Sequence, residues 1–143
     1  MTVKAILSAK GGDVITIDPT TNLAAAVKLL AERKIGALVV TGADHRVIGI
    51  VSERDIVAEL AAHGAASLDL PLTEVMTRKV VTCNVTDTIA SVMEHMTDGK
   101  FRHLPVVEQG RLLGIVSIGD VVKHRLHEME REQSAMRDYI QTA

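Results

Sequence analysis

The sequence predicts a mixed α/β (α+β) fold in which two copies of one β-α-β-β-α unit pack with pseudo-two-fold symmetry. Three features carry the prediction. The stretch VITIDPTTNLAAAVKLLAERKIGALVV, from Val14, aligns with VVTCNVTDTIASVMEHMTDGKFRHLPVV, from Val80, at an offset of 66 residues. After one deletion in a hairpin turn the alignment resumes at an offset of 65, with GIVSERD at Gly49 against GIVSIGD at Gly114. In both copies, short Val/Ile/Leu runs that read as covered strands alternate with apolar residues at helical spacing.

The elements follow in order. Gly11-Gly12 reads as a helix stop, so a first helix is expected before it. Extended runs are expected at residues 14–17 and 80–83, where Val, Ile and Thr dominate. Thr21-Asn22 and Thr86-Asp87-Thr88 then supply helix caps. Leu23, Val27 and Leu30, matched by Ile89, Val92, Met93 and Met96, fall three, four or seven apart and mark one face of a helix. Two strands follow in each copy, at 37–40 with 47–51 and at 104–107 with 112–116. The loops between them, TGADHR and EQGR, are polar. A final helix opens at Ser52 or Ser117. The expected division is residues 1–62 for the first repeat with its N-terminal helix, 63–74 for a linker, 75–126 for the second repeat and 127–143 for a helical tail. One such unit alone has a thin core, and two packed together bury far more.

Composition narrows the function. The 143 residues are 47% hydrophobic and 24% charged, with a net charge of −2. Phe101 and Tyr139 are the only aromatic residues, so there is no platform for stacking single-stranded bases and no cage for quaternary amines. The mild negative charge gives no bulk attraction to phosphate backbones, which argues against nucleic acid as a partner. Cys83 is the single cysteine, and no Cys/His spacing resembles a zinc site. No signal-peptide core and no window long enough to span a membrane is visible, so a soluble cytoplasmic protein is expected, with no membrane partner.

The GIVSERD and GIVSIGD turns, the IGALVV and FRHLPVV strands and the EVMTRKVVT entry to the second copy resemble the cystathionine-β-synthase (CBS) domain. The tandem resembles a CBS pair, or Bateman module, over roughly residues 2–125. The resemblance implies a disk-like regulatory module with clefts between its repeats. Such clefts bind adenosine-containing ligands: AMP, ADP, ATP, NAD(H) or S-adenosylmethionine. It further implies that the Asp of each S-x-x-D turn takes the ribose hydroxyls, that the strand after the first helix frames adenine, and that basic residues at the strand entry take phosphate. Homodimers are common in the family.

These expectations fall on named residues. Ser52 with Asp55 and Ser117 with Asp120 form the two S-x-x-D turns, where a capping box competes with ligand binding as the explanation. An Asp in the first turn offers two acceptor oxygens to a vicinal diol, and the free N–H groups of the turn suit an anion. Lys100, Phe101, Arg102 and His103 form the densest match to a phosphate, because Arg makes paired bonds to phosphate oxygens and His adds a titratable donor. The same positions in the first copy hold Lys34, Ile35, Gly36 and Ala37, so the two clefts are unequal and the phosphate-rich locus is expected around the second copy. Ile35, Gly36 and Ala37 would frame the base. Arg54 either restores a cation to the other cleft or pairs with Glu53 or Asp55 in solvent. Thr16 and Thr82 recur at strand ends and could donate to phosphate, although β-propensity alone also explains them.

Other features read as structural. His124 and His127 lie three apart on a charged helix without further ligands, and HEMER lacks the second His of a metalloprotease motif. Cys83 reads as a buried thiol, and Gly49 and Gly114 as positions of close backbone packing. No catalytic residues, catalytic cofactor or metal site is expected. In the tail, Leu126, Met129, Met136 and Ile140 form a stripe on an otherwise charged helix that should pack on the disk or across a homodimer. The expected function is a stand-alone regulatory module that senses adenine nucleotides for a separate enzyme or transporter. The alternative is a structural or protein-interaction module with vestigial clefts.

Overall fold

The computed structural model describes residues 1–11 and 13–142, so Gly12 of the expected helix stop lies outside them. Helix α1 (Val3–Lys10) precedes strand β1 (Thr16–Ile17), helix α2 (Leu23–Arg33), strands β2 (Ala37–Thr41) and β3 (Val47–Ser52) and helix α3 (Glu53–His63). Two short 3-10 turns, Gly64–Asp69 and Leu72–Glu74, occupy the stretch expected as a linker. Helix α4 (Ile89–Gly99), strands β4 (His103–Glu108) and β5 (Arg111–Ser117) and helix α5 (Ile118–Thr142) complete the second copy.

The first copy forms a three-stranded sheet in the order β1-β2-β3, with β1 parallel and β3 antiparallel to β2. The second copy forms only the β4-β5 hairpin. The strand expected at 80–83 is reduced to one parallel bridge, Cys83 to Val106, and the expected first strand at 14–17 shrinks to two residues. In both copies a brief parallel contact suffices to lead the chain into the following helix. Asn22 and Thr88 cap those helices as expected, accepting from Ala25 N at 3.0 Å and Ser91 N at 3.1 Å. The buried face of α2 is Leu23, Ala26 and Leu30 rather than the expected Leu23, Val27 and Leu30. Val27 lies 36% exposed, since Ala26 fits the tight helix–sheet contact that the larger residue would widen.

Core membership crosses the sequence order. Val3 and Ile6 of α1, both at 0% exposure, pack with Cys83, Ile89, Val92, Met96, Leu104 and Val116 of the second copy. Leu72 and Met76, from the segment before the second copy, pack with Leu23, Leu30, Leu38 and Val51 of the first. Each glycine of the repeated GIVS motif makes room for this exchange: a Cβ on Gly49 would collide with Met76, and one on Gly114 would meet Leu7 at 2.6 Å. The hairpin tips of the two copies also meet, through Val47 N donating to Gly110 O at 3.2 Å and an Arg111–Asp44 ion pair.

Helix α5 leaves the disk. Val121 is its only buried residue among those described, and Leu126, Met129, Met136 and Ile140 are all at least 50% exposed. The stripe therefore does not pack on this chain's own disk, which corrects one of the two expectations for the tail. The reason is reach: a straight helix rising about 1.5 Å per residue clears a small disk within three or four turns. No described helix is long and apolar enough to cross a membrane.

Candidate functional site

The S-x-x-D turn of the first copy is a complete capping box. Ser52 Oγ accepts from Asp55 N at 3.2 Å, while Asp55 Oδ2 accepts from Ser52 N at 2.9 Å and from Ser52 Oγ at 3.0 Å. These bonds fall on one carboxylate oxygen, and among the described residues none is made to Oδ1. Capping and ligand binding are thus compatible in one side chain. The second turn repeats the geometry, with Ser117 N to Asp120 Oδ2 at 2.9 Å and Asp120 N to Ser117 Oγ at 3.1 Å.

Two further pieces reach the first turn. The segment leaving α4 turns at Lys100, whose φ of 56° is left-handed, as is that of its counterpart Lys34 at 55°. Arg54 Nη1 donates to the Lys100 carbonyl at 3.2 Å, which joins the first copy's turn to the second copy's strand entry. On the other side, Ile50 and Thr77 exchange backbone bonds of 3.0 and 2.9 Å, which brings Lys79, Val80 and Val81 alongside.

Together these segments line a cavity of about 420 Å³, within the ~300–1,000 Å³ of small-molecule sites. Gly36, Ala37, Ser52, Arg54, Asp55, Lys100, Phe101, Arg102 and His103 lie on its wall, joined by Ile50, Glu53, Thr77, Lys79, Val80 and Val81. The lining combines the cations Arg54, Lys79, Lys100 and Arg102 with the carboxylates Glu53 and Asp55 and the apolar Ile50, Val80, Val81 and Phe101. The basic cluster of the second copy and the S-x-x-D turn of the first therefore line one cavity. Arg54 shares a cleft with Lys100 instead of supplying a cation to a separate one. The exchange of segments between the two cores is the physical cause, because it sets the strand entry of one repeat beside the helix start of the other.

Five expected residues do not line this cavity. Ile35 packs against the first core, Thr16 is tied into β1 opposite Val39, and Thr82 is exposed beside the Cys83 bridge. Ser117 and Asp120 stand at the start of α5, where Asp120 Oδ2 meets Lys10 Nζ at 2.7 Å. Most of the lining residues missed in sequence, Thr77, Lys79, Val80 and Val81, lie in the EVMTRKVVT motif. That motif marked the repeat entry without showing which wall it would form.

Electrostatics distinguish the titratable groups. Burial pushes the His103 imidazole below its usual pKa. Glu53 and Asp120 oppose that shift, and Lys10 and Arg102 add to it. His103 sits over Gly36, where a Cβ would come within 3.2 Å of the ring. Burial raises Asp120, but bonds from Lys10 and Ser117 outweigh it and hold the carboxyl below the usual range. Burial, with Asp87 nearby, pushes the Cys83 thiol up to about 12, which leaves it protonated and inert at neutral pH.

The sequence pattern of the CBS domain matches residues 3–62 and 72–127. The chain is 35% identical over 120 residues to the mitochondrial CBS domain-containing protein CBSX3 of Arabidopsis thaliana, covering 81% of this chain and 58% of that protein. It spans 21% of the Arabidopsis protein CBSCBSPB5, at 34% identity. The crystal structure of the CBS-domain protein ATU1752 from Agrobacterium tumefaciens superposes with a TM-score of 0.83 at 51% identity, over 87% of this chain and 92% of that one. The CBS pair of protein MJ0100, solved with 5′-methylthioadenosine and S-adenosyl-L-methionine, superposes with a TM-score of 0.79 at 26% identity, over 90% and 98%. With two matched repeats and one cleft shared between them, the chain belongs to the CBS domain family and folds as a CBS pair.

Proposed function

We propose that this chain is a regulatory module that binds an adenosine-containing nucleotide (AMP, ADP, ATP or NAD(H)) in the cleft between its repeats. The observation that carries the reading is the meeting of Asp55 with Lys79, Lys100 and Arg102 around one 420 Å³ cavity. A carboxylate with an uncommitted oxygen suits a ribose diol, the aliphatic wall suits a base, and the cations suit phosphate. The adenosine derivatives bound to the MJ0100 pair support the nucleoside half of the assignment. A sulfonium ligand would bring a positive charge among Arg54, Lys79, Lys100 and Arg102, so the local charge favours a phosphate ester.

Occupancy acts by favouring one arrangement of repeats or subunits over another. The exposed stripe on α5 supports a homodimer contact made through the tail, with the regulated enzyme or transporter as a separate partner. We read the module as non-catalytic and cytoplasmic, with repeats at 1–62 and 75–126, a linker at 63–74 and the tail from 127. Calorimetry with AMP, ATP and NADH, on protein stripped of carried-over nucleotide, tests the reading. Saturable heat with at least one of them is expected. Silence with all three would leave the interaction module with an unused cleft.

A further inference from the structure

The two S-x-x-D turns differ in what meets them. In the first cleft, Ile50 exchanges backbone bonds with Thr77, and Asp55 bonds only to its own capping serine among the described residues. In the second repeat the counterpart of Ile50 is Ile115, and its carbonyl accepts from Lys10 Nζ at 3.0 Å. The same ammonium lies 2.7 Å from Asp120 Oδ2, where it takes the place that the Ser52 hydroxyl fills on Asp55. Lys10 ends α1, and that helix is anchored by Val3 and Ile6 in the core and by Leu7 against Gly114. The lysine is thus delivered by a rigid element.

We propose that Lys10 is an internal ligand of the second cleft, a latch between α1 and α5 that closes this cleft to nucleosides. The inference rests on the functional reading above and limits it to one ligand per chain, held at Asp55. A ribose diol approaching Asp120 would meet a carboxylate already paired with an ammonium, a charge-assisted bond roughly twice as strong as the neutral one the diol could offer.

The test compares the binding stoichiometry of adenosine, with AMP as a second probe, for wild type, Lys10→Met and Lys10→Arg. One equivalent of either probe is expected for wild type and Lys10→Arg. Two equivalents of adenosine are expected for Lys10→Met, with circular dichroism and a thermal melt confirming its fold. Two equivalents in wild type, or one in Lys10→Met, overturns the latch and leaves the functional reading standing. Binding of neither probe by wild type overturns that reading and the one-ligand limit with it. A ligand-free measurement separates the latch from both: the Asp120 carboxyl, followed by NMR titration, should rise in pKa in Lys10→Met, and an unchanged titration overturns the contact.

Discussion

The Arg54 guanidinium, in the first repeat, donates to the backbone carbonyl of Lys100, in the second, at 3.2 Å. One bond thereby ties the helix that begins with the first S-x-x-D turn to the strand entry that carries the basic cluster. Both residues line the shared cleft. The two S-x-x-D turns consequently have unlike surroundings despite their matching caps.

Asp55→Ala should weaken AMP binding by tenfold or more, whereas Asp120→Ala should leave it within about twofold. Both variants lose a capping contact, at a cost of about 1 kcal/mol, so paired thermal melts separate the common loss of stability from the unequal loss of affinity. Equal losses of affinity in calorimetry would show that the first cleft is not the binding site.

Lys100→Ala, Arg102→Ala and Lys79→Ala should each reduce AMP affinity by roughly tenfold, as expected for a charge-assisted bond to phosphate of about 1.5–3 kcal/mol. Adenosine affinity should change little. Titrations with the two ligands at low and high salt provide the comparison, and the AMP-specific loss should shrink as salt screens the cleft.

His103 is held neutral by burial, between Glu53 from α3, Asp120 from α5, Lys10 from α1 and the adjacent Arg102. In the free protein the folded pKa lies below the unfolded value of ~6.5, so this group costs stability as pH falls through that value. A bound phosphate favours the imidazolium, so binding should take up a proton and tighten from pH 8 to pH 6. His103→Gln should flatten the difference between AMP and adenosine across that range in pH-dependent calorimetry.

The Lys10–Asp120 pair holds the carboxyl below its usual pKa, so its stabilisation is present above an ordinary carboxylate pKa of ~3.9 and is lost as pH falls through the depressed folded value. With side chains 34% and 25% exposed, the pair contributes about 1 kcal/mol or less. Urea melts of wild type and Lys10→Met should differ by that amount at pH 7 and converge below pH 3.

Removing residues 129–142 should leave the melting temperature of the disk and AMP affinity nearly unchanged, because that part of α5 is exposed throughout. Its exposed apolar stripe, Met129, Met136 and Ile140 on an otherwise charged helix, is suited to pairing with a second copy. Light scattering should then show a dimer for the full chain and a monomer for the truncated one. An unchanged mass would place the dimer contact elsewhere.

Much of the fold was legible because it depends on local chemistry repeated twice. Val/Ile/Leu runs, Asn22 and Thr88 as caps, and Ser-x-x-Asp helix starts each dictate their own neighbourhood, and the constant offset reveals that two units must share a core. The misplaced details were those in which packing outranks periodicity. Ala26 replaced Val27 on the buried face, and the first strand of the second copy contracted to the Cys83 bridge.

By itself, then, the sequence determined the repeat, the order of elements, the asymmetry between KFRH and KIGA and the paucity of rings that leaves an aliphatic wall to receive a base. Only the tertiary structure decided which pieces meet. Segments that precede each repeat cross to the other's core, so Asp55 faces Lys100 and Arg102 while Asp120 faces Lys10. Sequence records what each side chain can do within a few residues of itself. Its partners 46 or 110 residues away are chosen by which apolar faces bury together, and that choice made one cleft open and the other self-satisfied.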